Sequence, residues 1–558
     1  MSWKRWSWAA VAAAVIAVGV AAGAPRGSSP RELFQHTLFP ALLTQLVLAG
    51  AALTERVRDH GRPDTASLRA LGTAVLVALG LVAVIGGGVP AEFRVLADET
   101  NLLSTSLSMV LNGGIGNITE GLFYYDTYHV VTSEPPARPL LFPAATALVH
   151  TVLGYDADNG FLVNLAAGFA TLLGVVQLGR AFGRPVFGFV AAGLLAGHPL
   201  FQLYVRASGF EAMNMALLTW TLVAMVTFAA NPSPLRWETA AWAAALAGQC
   251  RYESIVTLGP VFLLGLLHHR TLRGQTWSWR TLALPLTLVP LWWQRQSTSV
   301  INAGDKRESA FEADKIVEHL QNARDFFFVT GKGYANSAPF AWLAVLGLVW
   351  ALWQLRGQLR NPRVIAVALF SVGALVIFAT HMAYYLGDLR APFIARYATS
   401  YLVPLALLGG LPLAWAASRT GGAALVTGAL AVHLAAGVSN AVANQNGASL
   451  MLFREYKGVM QALRGLPMSR RIVVADRPGM YVAQRYSAIN LATARRDAER
   501  YLSNLDRHLY DGLVVIQHVN YQGVASPPLP ESLPLRPWKT FQNNGDHYVR
   551  ISLVDAPQ

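Results

Sequence analysis

Ionisable residues cluster where apolar runs break off: Asp98 with Glu99, Arg206 with Glu211, Arg251 with Glu253, and the stretch from His381 to Arg396. Such groups are costly at membrane depth and usually serve a site. A carboxylate there can act as a base whose proton affinity is tuned by partial desolvation. A guanidinium there keeps its charge and presents a fixed fork of donors to an anion. A transporter would be expected to hold such groups near the midplane of broken helices. Here they gather at span ends, which favours surface chemistry in a cavity open to the outer leaflet.

Each group also has a plainer reading. Asp98 could cap a helix starting near Thr100, and Glu99 could be a surface carboxylate. Arg251 and Arg396 could snorkel from span ends, with Arg251 paired to Glu253 or Glu211. Arg206 and Glu211, five residues apart, could form an ion pair. Tyr384, Tyr385 and Tyr397 could belong to an interfacial aromatic belt, and His381 could be a span-end residue only.

The elements that must position these residues follow from composition. The chain has 558 residues, 53% hydrophobic and only 13% charged, with a formal net charge of +13. Soluble domains carry roughly 25% charged residues, and surface-to-volume scaling leaves no way to hide this much apolar surface in water. A soluble enzyme, a disordered chain and an ordinary nucleic-acid binder are excluded. The basic residues sit in short stretches between apolar runs, where they act as an orientation signal. Cys250, the single cysteine, lies in an apolar region and reads as a small buried hydrophobe.

A span needs about 20 mostly apolar residues. The first runs from Trp8 to Ala24 behind Lys4 and Arg5. We read it as a retained anchor rather than a signal peptide, because spans at Leu38–Leu53 and Leu68–Val89 follow at once. Arg56, Arg58, Arg62 and Arg69 make the linker between those two cytoplasmic. The N-terminus is then inside, and the segment after Val89 outside. Arginine-rich linkers at Arg180–Arg184, His268–Arg280 and Arg356–Arg363 keep the alternation. Further spans are expected near 160–180, 185–203, 212–230, 238–250, 254–268, 281–293, 338–355, 364–381, 398–416 and 422–440. The total is about thirteen, with the C-terminus outside.

Outer segments are expected at about 90–158, about 294–337 and about 441–558. In the first, Leu102, Leu103, Leu107, Met109 and Val110 suggest an amphipathic interfacial helix. A second helix, from Pro139 to Leu153, is too short to span and should lie on the membrane. The tail reads as a small α/β domain, with strands Arg471–Asp476 and Gly512–Gln517 around a helix at Ala492–Arg507. A final strand pair, Trp538–Phe541 and His547–Leu553, turns at Asn543-Asn544-Gly545. The organisation is thus two extra N-terminal spans (1–66), a transmembrane module (67–440) and an extracytoplasmic domain (441–558).

An Asp-Glu pair after an early span, followed by a proline-containing interfacial helix, resembles the GT-C superfamily of membrane glycosyltransferases. The subgroup is that of the protein O-mannosyltransferases and the lipid A aminoarabinose transferase. Leu178-Gly-Arg180-Ala-Phe182-Gly183-Arg184 is similar to the cytoplasmic Arg-x-Phe-Gly turn of that family. His198-Pro-Leu-Phe201 with Tyr204-Val-Arg206-Ala-Ser-Gly-Phe-Glu211 resembles its second outer loop. Gln249-Cys-Arg251-Tyr252-Glu253 falls where members carry a basic residue between two short apolar halves. Ala395-Arg396-Tyr397 followed by Pro404 resembles a late Arg-Tyr-x-x-Pro element, with a longer gap. The resemblance covers roughly residues 70–440. Two extra N-terminal spans, and Glu211 where many relatives have Asp, depart from the pattern.

The resemblance implies an inverting hexosyl- or pentosyltransferase. It would move a sugar from a polyprenyl-phosphate donor to a glycan, lipid or protein acceptor on the outer face of the cytoplasmic membrane. On that reading Asp98 is the base and Glu99 its companion. Arg396 and Arg251, with Lys306 and Arg307 from a loop rich in charge, bind the donor phosphate. Arg206, Glu211, Glu253, Tyr384 and Tyr397 face the sugar or acceptor. No metal site is legible in the residues; a divalent cation, magnesium or manganese, used by some relatives could be shared by Asp98, Glu99 and Glu211. Two other classes compete: a flippase for lipid-linked oligosaccharide, which would line a through-path with charge, and a non-catalytic scaffold, which would tolerate loss of Asp98, Glu211 and Arg396.

Overall fold

Runs of about 20 apolar residues supply, at 1.5 Å per residue, the roughly 30 Å needed to cross a bilayer, and they fold here as long helices. The computed structural model describes residues 30–59, 65–124, 126–287, 291, 311–334, 336–357, 360–443, 451–520, 522, 525–526, 528–544 and 547–556. Among these, eight helices are long and apolar enough to span, including Thr65–Gly88, Asn159–Ala181, Glu211–Ala230, Ser337–Gln354, Pro362–Ala383 and Gly422–Ala443. The helix pair Pro185–Ala196 and Pro199–Val205 is bent by 77° and makes a ninth if taken as one span. The apolar run at Trp8–Ala24 lies outside the described residues. The fold is that of a polytopic α-helical membrane protein with a sheet-containing C-terminal region.

The chain divides into two compact units. The first comprises Met1–Arg94, Pro139–Ala145 and Gly160–Gln445 and holds the spans. Its helices approach closely through small residues, as membrane packing favours. A methyl on Gly347 would meet the Leu408 carbonyl, and one on Gly179 would strike the backbone of Gly188. The break that bends the Pro185–Ala196 helix is stabilised by buried polar groups. There the His198 ring accepts from the Leu200 amide at 3.2 Å, and the Gln202 amide donates to the Ala196 carbonyl at 2.8 Å.

The spans are less clean than their sequence suggests. Glu238, fully buried near the start of the Pro234–Cys250 helix, accepts from Arg280 at 2.6 Å, and Arg280 also pairs with Glu55. Glu55 lies on the Pro30–Asp59 helix, so one of the extra N-terminal helices is ionically tied to the bundle.

The second unit comprises Val95–Arg138, Thr146–Asn159 and Asn446–Gln558. Its core is an eight-stranded sheet: β1 (Asn117–Tyr124), β2 (Thr127–Glu134), β3 (Arg471–Ala475), β4 (Ser487–Asn490), β5 (Gly512–Val519), β6 (Ala525–Ser526), β7 (Arg536–Asn544) and β8 (His547–Asp555). The order is β2-β1-β4-β3-β5-β8-β7, with β6 on β5. β3 runs parallel to both neighbours and is almost wholly buried, as a continuous apolar run in a covered parallel sheet should be. The expected tail strands are present. The expected helix is broken at Asp497 into Leu491–Arg496 and Ala498–Asp506.

The tail does not close its own sheet. The hairpin β1–β2 comes from the first loop, and β1 joins β4 where Gly121 faces Ala488. Gly121 is needed because the Tyr128 ring covers it, so closely that a methyl there would clash. Glu120, buried beside it, accepts from the Asn490 amide at 2.7 Å and from the hydroxyls of Thr493 at 2.8 Å and Thr132 at 2.7 Å. One carboxylate thus fastens the loop hairpin to the tail.

Candidate functional site

In the first unit the chemistry sits at helix ends. Arg251 follows the last residue of the Pro234–Cys250 helix in extended backbone, and Glu253 lies in the first turn of the short 3-10 helix Tyr252–Thr257. His381 lies in the last turn of Pro362–Ala383. Glu211 is the first residue of Glu211–Ala230, where the helix dipole favours a carboxylate. Arg396 lies in the turn Ala395–Ala398 that leads into the helix Thr399–Ala417.

These ends converge. Glu253 Oε1 lies 2.6 Å from Arg251 Nε and 2.8 Å from His381 Nε2. Since Nε2 faces a carboxylate, it carries the ring proton, and His381 Nδ1 accepts from the Tyr401 hydroxyl. The Tyr397 ring stacks on His381 at 4.6 Å and 12°. The Arg251 guanidinium stands 4.9 Å from the centre of the same tyrosine, and that of Arg396 5.7 Å. Arg396 reaches Glu211 at 3.6 Å. Two guanidinium groups, the Glu211 carboxylate and an imidazole are therefore buried around one aromatic ring, with the Glu253 carboxylate half-buried beside them. The planar guanidinium can lie on the ring while presenting its donors in a fixed fork, a geometry a lysine ammonium does not offer.

The second unit carries Asp98 and Glu99 in the first turn of the helix Leu96–Asn112. The helix begins at Leu96, not near Thr100, and its cap is not Asp98. Glu99 reaches back to accept from the Val95 amide at 2.8 Å, a capping role for the neighbouring carboxylate. Asp98 Oδ1 takes two bonds from one arginine, Arg138, at 2.7 Å from Nη2 and 3.1 Å from Nε. Arg138 is 42% exposed while Asp98 is largely buried.

The helix that carries Asp98 is anchored by a neutral chain. Asn159 donates to His150 Nδ1 at 2.9 Å, and His150 Nε2 faces the Ser106 hydroxyl at 3.1 Å. Ser106 in turn donates to the Leu103 carbonyl at 2.7 Å. Burial pushes the His150 imidazole down to about 4, against a weaker opposing pull from Asp156, so the ring is neutral at ordinary pH. Among the described residues no cluster of three or more His, Cys, Asp or Glu is arranged to hold a metal ion.

Residues 137–293 match the family model of the dolichyl-phosphate-mannose-protein mannosyltransferases. Among solved structures, ArnT from Cupriavidus metallidurans bound to undecaprenyl phosphate is similar at a TM-score of 0.51 and 13% identity, over 87% of this chain and 99% of that one. The chain shares the fold of this ArnT. The apo state of the same ArnT gives a TM-score of 0.48 at 12% identity, again over 87% of this chain and 99% of that one. The archaeal oligosaccharyltransferase AglB from Archaeoglobus fulgidus, in complex with an inhibitory peptide and a dolichol-phosphate, gives 0.41 at 11% identity, over 82% and 69%. No relative is found among curated proteins.

Within this fold the remaining candidates fall in different places. Arg206 donates from Nε to the Val89 carbonyl at 2.9 Å, while Glu211 faces Arg396; the two candidates five residues apart have separate contacts. Tyr384 sits 6.4 Å from Tyr397 and packs on Phe311 and Tyr385. Gly387 lets this loop close on the Pro362–Ala383 helix, since a methyl there would lie 2.5 Å from both His319 Nδ1 and the His381 carbonyl. Lys306 and Arg307 lie outside the described residues. Cys250 is buried as expected.

Sequence reasoning passed over Arg138 and underrated His381. Arg138 stands in Pro135-Pro-Ala-Arg-Pro139, where a lone cation between prolines could have been flagged as fixed in direction. His381 reads locally as a helix end, because its partner Glu253 is 128 residues away.

Proposed function

We propose that this protein is an integral membrane glycosyltransferase. It transfers a sugar from a polyprenyl-phosphate-linked donor to an acceptor on the extracytoplasmic face of the cytoplasmic membrane. The observation that carries the reading is the pair of buried guanidinium groups, Arg251 and Arg396, held against Tyr397 in a chain of GT-C fold. Such an arrangement suits the phosphate of a lipid donor, the class of ligand bound in the similar ArnT structure. The positive-inside pattern supports an N-terminus inside and a tail outside.

Asp98 serves as the base: it removes the acceptor's proton as the nucleophile attacks the anomeric carbon, with inversion. Arg138 orients Asp98 and is exposed enough to swing away. The bond from the anomeric carbon to the phosphate oxygen breaks, and Arg251 and Arg396 balance the charge left on the phosphate. Lys306 and Arg307, which lie outside the described residues, are assigned to the same phosphate by the family resemblance alone. Glu99 acts as the companion of Asp98 by fixing its helix turn. Glu211 and Glu253 hold the two arginines, and Arg206, Tyr384 and Tyr397 face the sugar or acceptor. A divalent cation would be held by carboxylates of this set and would add to the neutralisation of the phosphate. The transmembrane module is 67–440 and the appended domain 441–558, joined in its sheet by the first loop. The full count of about thirteen crossings takes in the run at Trp8–Ala24, the short segments 234–250 and 252–267, and the run at 281–293.

Proteoliposomes given a radiolabelled polyprenyl-phosphate sugar test this directly. Asp98→Asn should fold and lose about 10²–10⁴-fold in transfer. Full turnover by that variant would remove Asp98 as the base, and label that crosses the membrane without bond cleavage would make the protein a flippase.

A further inference from the structure

We propose that His381 is a positioning residue: acting through Glu253, it aims the Arg251 guanidinium at the phosphate of a lipid phosphate ester. The inference rests on the reading of Arg251 as a donor-phosphate ligand and adds a residue to it.

The geometry is specific. A single carboxylate oxygen, Glu253 Oε1, forms an ion pair with Arg251 Nε at 2.6 Å and a hydrogen bond with His381 Nε2 at 2.8 Å. Left to Arg251 alone, the carboxylate of a short turn could rotate and carry the guanidinium with it. His381 removes that freedom, because its own orientation is fixed on the far side by the Tyr401 hydroxyl at Nδ1 and on its face by Tyr397. Tyr397 is also the ring beneath Arg251. The imidazole therefore braces the guanidinium twice, through the carboxylate and through the aromatic face.

What the brace leaves available is the other edge of the fork. Arg251 is 3% exposed, and among the described residues neither its Nε, which meets Glu253 only as an ion pair, nor its Nη1 has a hydrogen-bond partner. A buried donor in that condition costs free energy until an acceptor reaches it. A phosphate oxygen fits, since guanidinium forks match phosphate geometry. The polarity of the chain is consistent throughout: Tyr401 donates to His381, His381 donates to Glu253, and Glu253 pairs ionically with Arg251. His381 touches no reacting atom; the effect of changing it must pass through Arg251.

The test is binding of undecaprenyl phosphate to the full-length protein in detergent, followed by native mass spectrometry or intrinsic tryptophan fluorescence. His381→Phe keeps the stack on Tyr397 and removes both nitrogens. It should weaken binding about tenfold, the size usual for loss of an outer support to a ligand-holding group. His381→Gln, which can still donate to Glu253, should stay within about threefold of the wild type. Arg251→Gln should lose about a hundredfold, and adding His381→Phe to it should cost nothing more, because coupled residues are not additive. Arg251→Lys, which keeps a charge opposite Glu253 for folding, is a second background in which the histidine effect should vanish. Wild-type affinity in His381→Phe, or an undiminished loss in both Arg251 backgrounds, would reduce His381 to packing while leaving the donor assignment intact. Failure of the wild-type protein to bind undecaprenyl phosphate would instead overturn the lipid-phosphate reading, and this proposal with it.

Discussion

Two buried histidines, His381 of the first unit and His150 of the second, are kept from water by opposite means. His381 stands between a carboxylate and a phenol, with two arginines around the tyrosine it stacks on. His150 stands between an amide and a hydroxyl, in a chain of uncharged groups that ends on a backbone carbonyl. Buried charge is expensive to desolvate and repays little in net stability. A neutral chain satisfied atom by atom holds a helix more cheaply. The second unit uses the cheaper device, where the task is to keep the Asp98 helix in place. The first unit keeps charge at this cluster, at a desolvation cost that the neutral chain avoids.

The comparison breaks most readily at Glu253. If the first cluster is held by charge, Glu253→Ala leaves the Arg251 guanidinium buried without its carboxylate and should destabilise the fold by about 3–5 kcal/mol. Thermal unfolding in detergent reads this, and the double variant Arg251→Met with Glu253→Met should recover most of the loss. A cost below about 1 kcal/mol for Glu253→Ala would mean that water already reaches the guanidinium, and the contrast between the units would fall.

The neutral chain predicts a pH effect instead. Burial holds His150 at about 4 in the native state, below the roughly 6.5 of the unfolded chain. Above that unfolded value neither state carries the proton, and the histidine costs nothing. As pH falls from about 6.5 toward 4 the unfolded state takes a proton that the native state refuses. Stability is then lost at up to about 1.4 kcal/mol per pH unit. His150→Gln, which keeps an amide donor toward Ser106, should flatten this slope in melting temperature measured between pH 4 and 7. An unchanged slope would place the acid sensitivity elsewhere.

Legibility in the sequence divides along the same line. Spans announce themselves, because a bilayer demands twenty apolar residues in a row and the linkers carry their orientation in arginine. β3 and β5 were legible for a related reason: Ile472-Val-Val474 and Leu513-Val-Val-Ile516 are apolar runs between polar borders. β4 spans only Ser487–Asn490, too short for a period to register. The hairpin β1–β2 pairs with a strand more than 360 residues away, and its residues hold no alternation that local patterning detects. The candidate site behaved likewise. Asp98, Arg251, Glu253 and Arg396 could be named from type and place, but the closure of Glu253 on His381 and of Asp98 on Arg138 depends on how distant helix ends meet. No window of sequence holds that information.

The smallest expected effect lies on the sheet itself and runs opposite to that of His150. His518 on β5 pairs with Glu455 at 2.9 Å, and that hydrogen bond raises the imidazole above its ordinary value against a smaller penalty from burial. A raised group stabilises the fold below its unfolded pKa, where both states are protonated. The benefit is lost as pH climbs through the native value, because the unfolded chain gives up its proton first. His518 is 43% exposed, so solvent and salt screen the pair and its contribution should stay under about 1 kcal/mol. Melting of the protein between pH 6 and 8.5 should therefore show a small decline that His518→Gln removes and added salt blunts. A decline of the same size in that variant would mean that the pair does not govern the alkaline side. A stability that rises over this interval in the wild type and not in the variant would reverse the sign assigned to it.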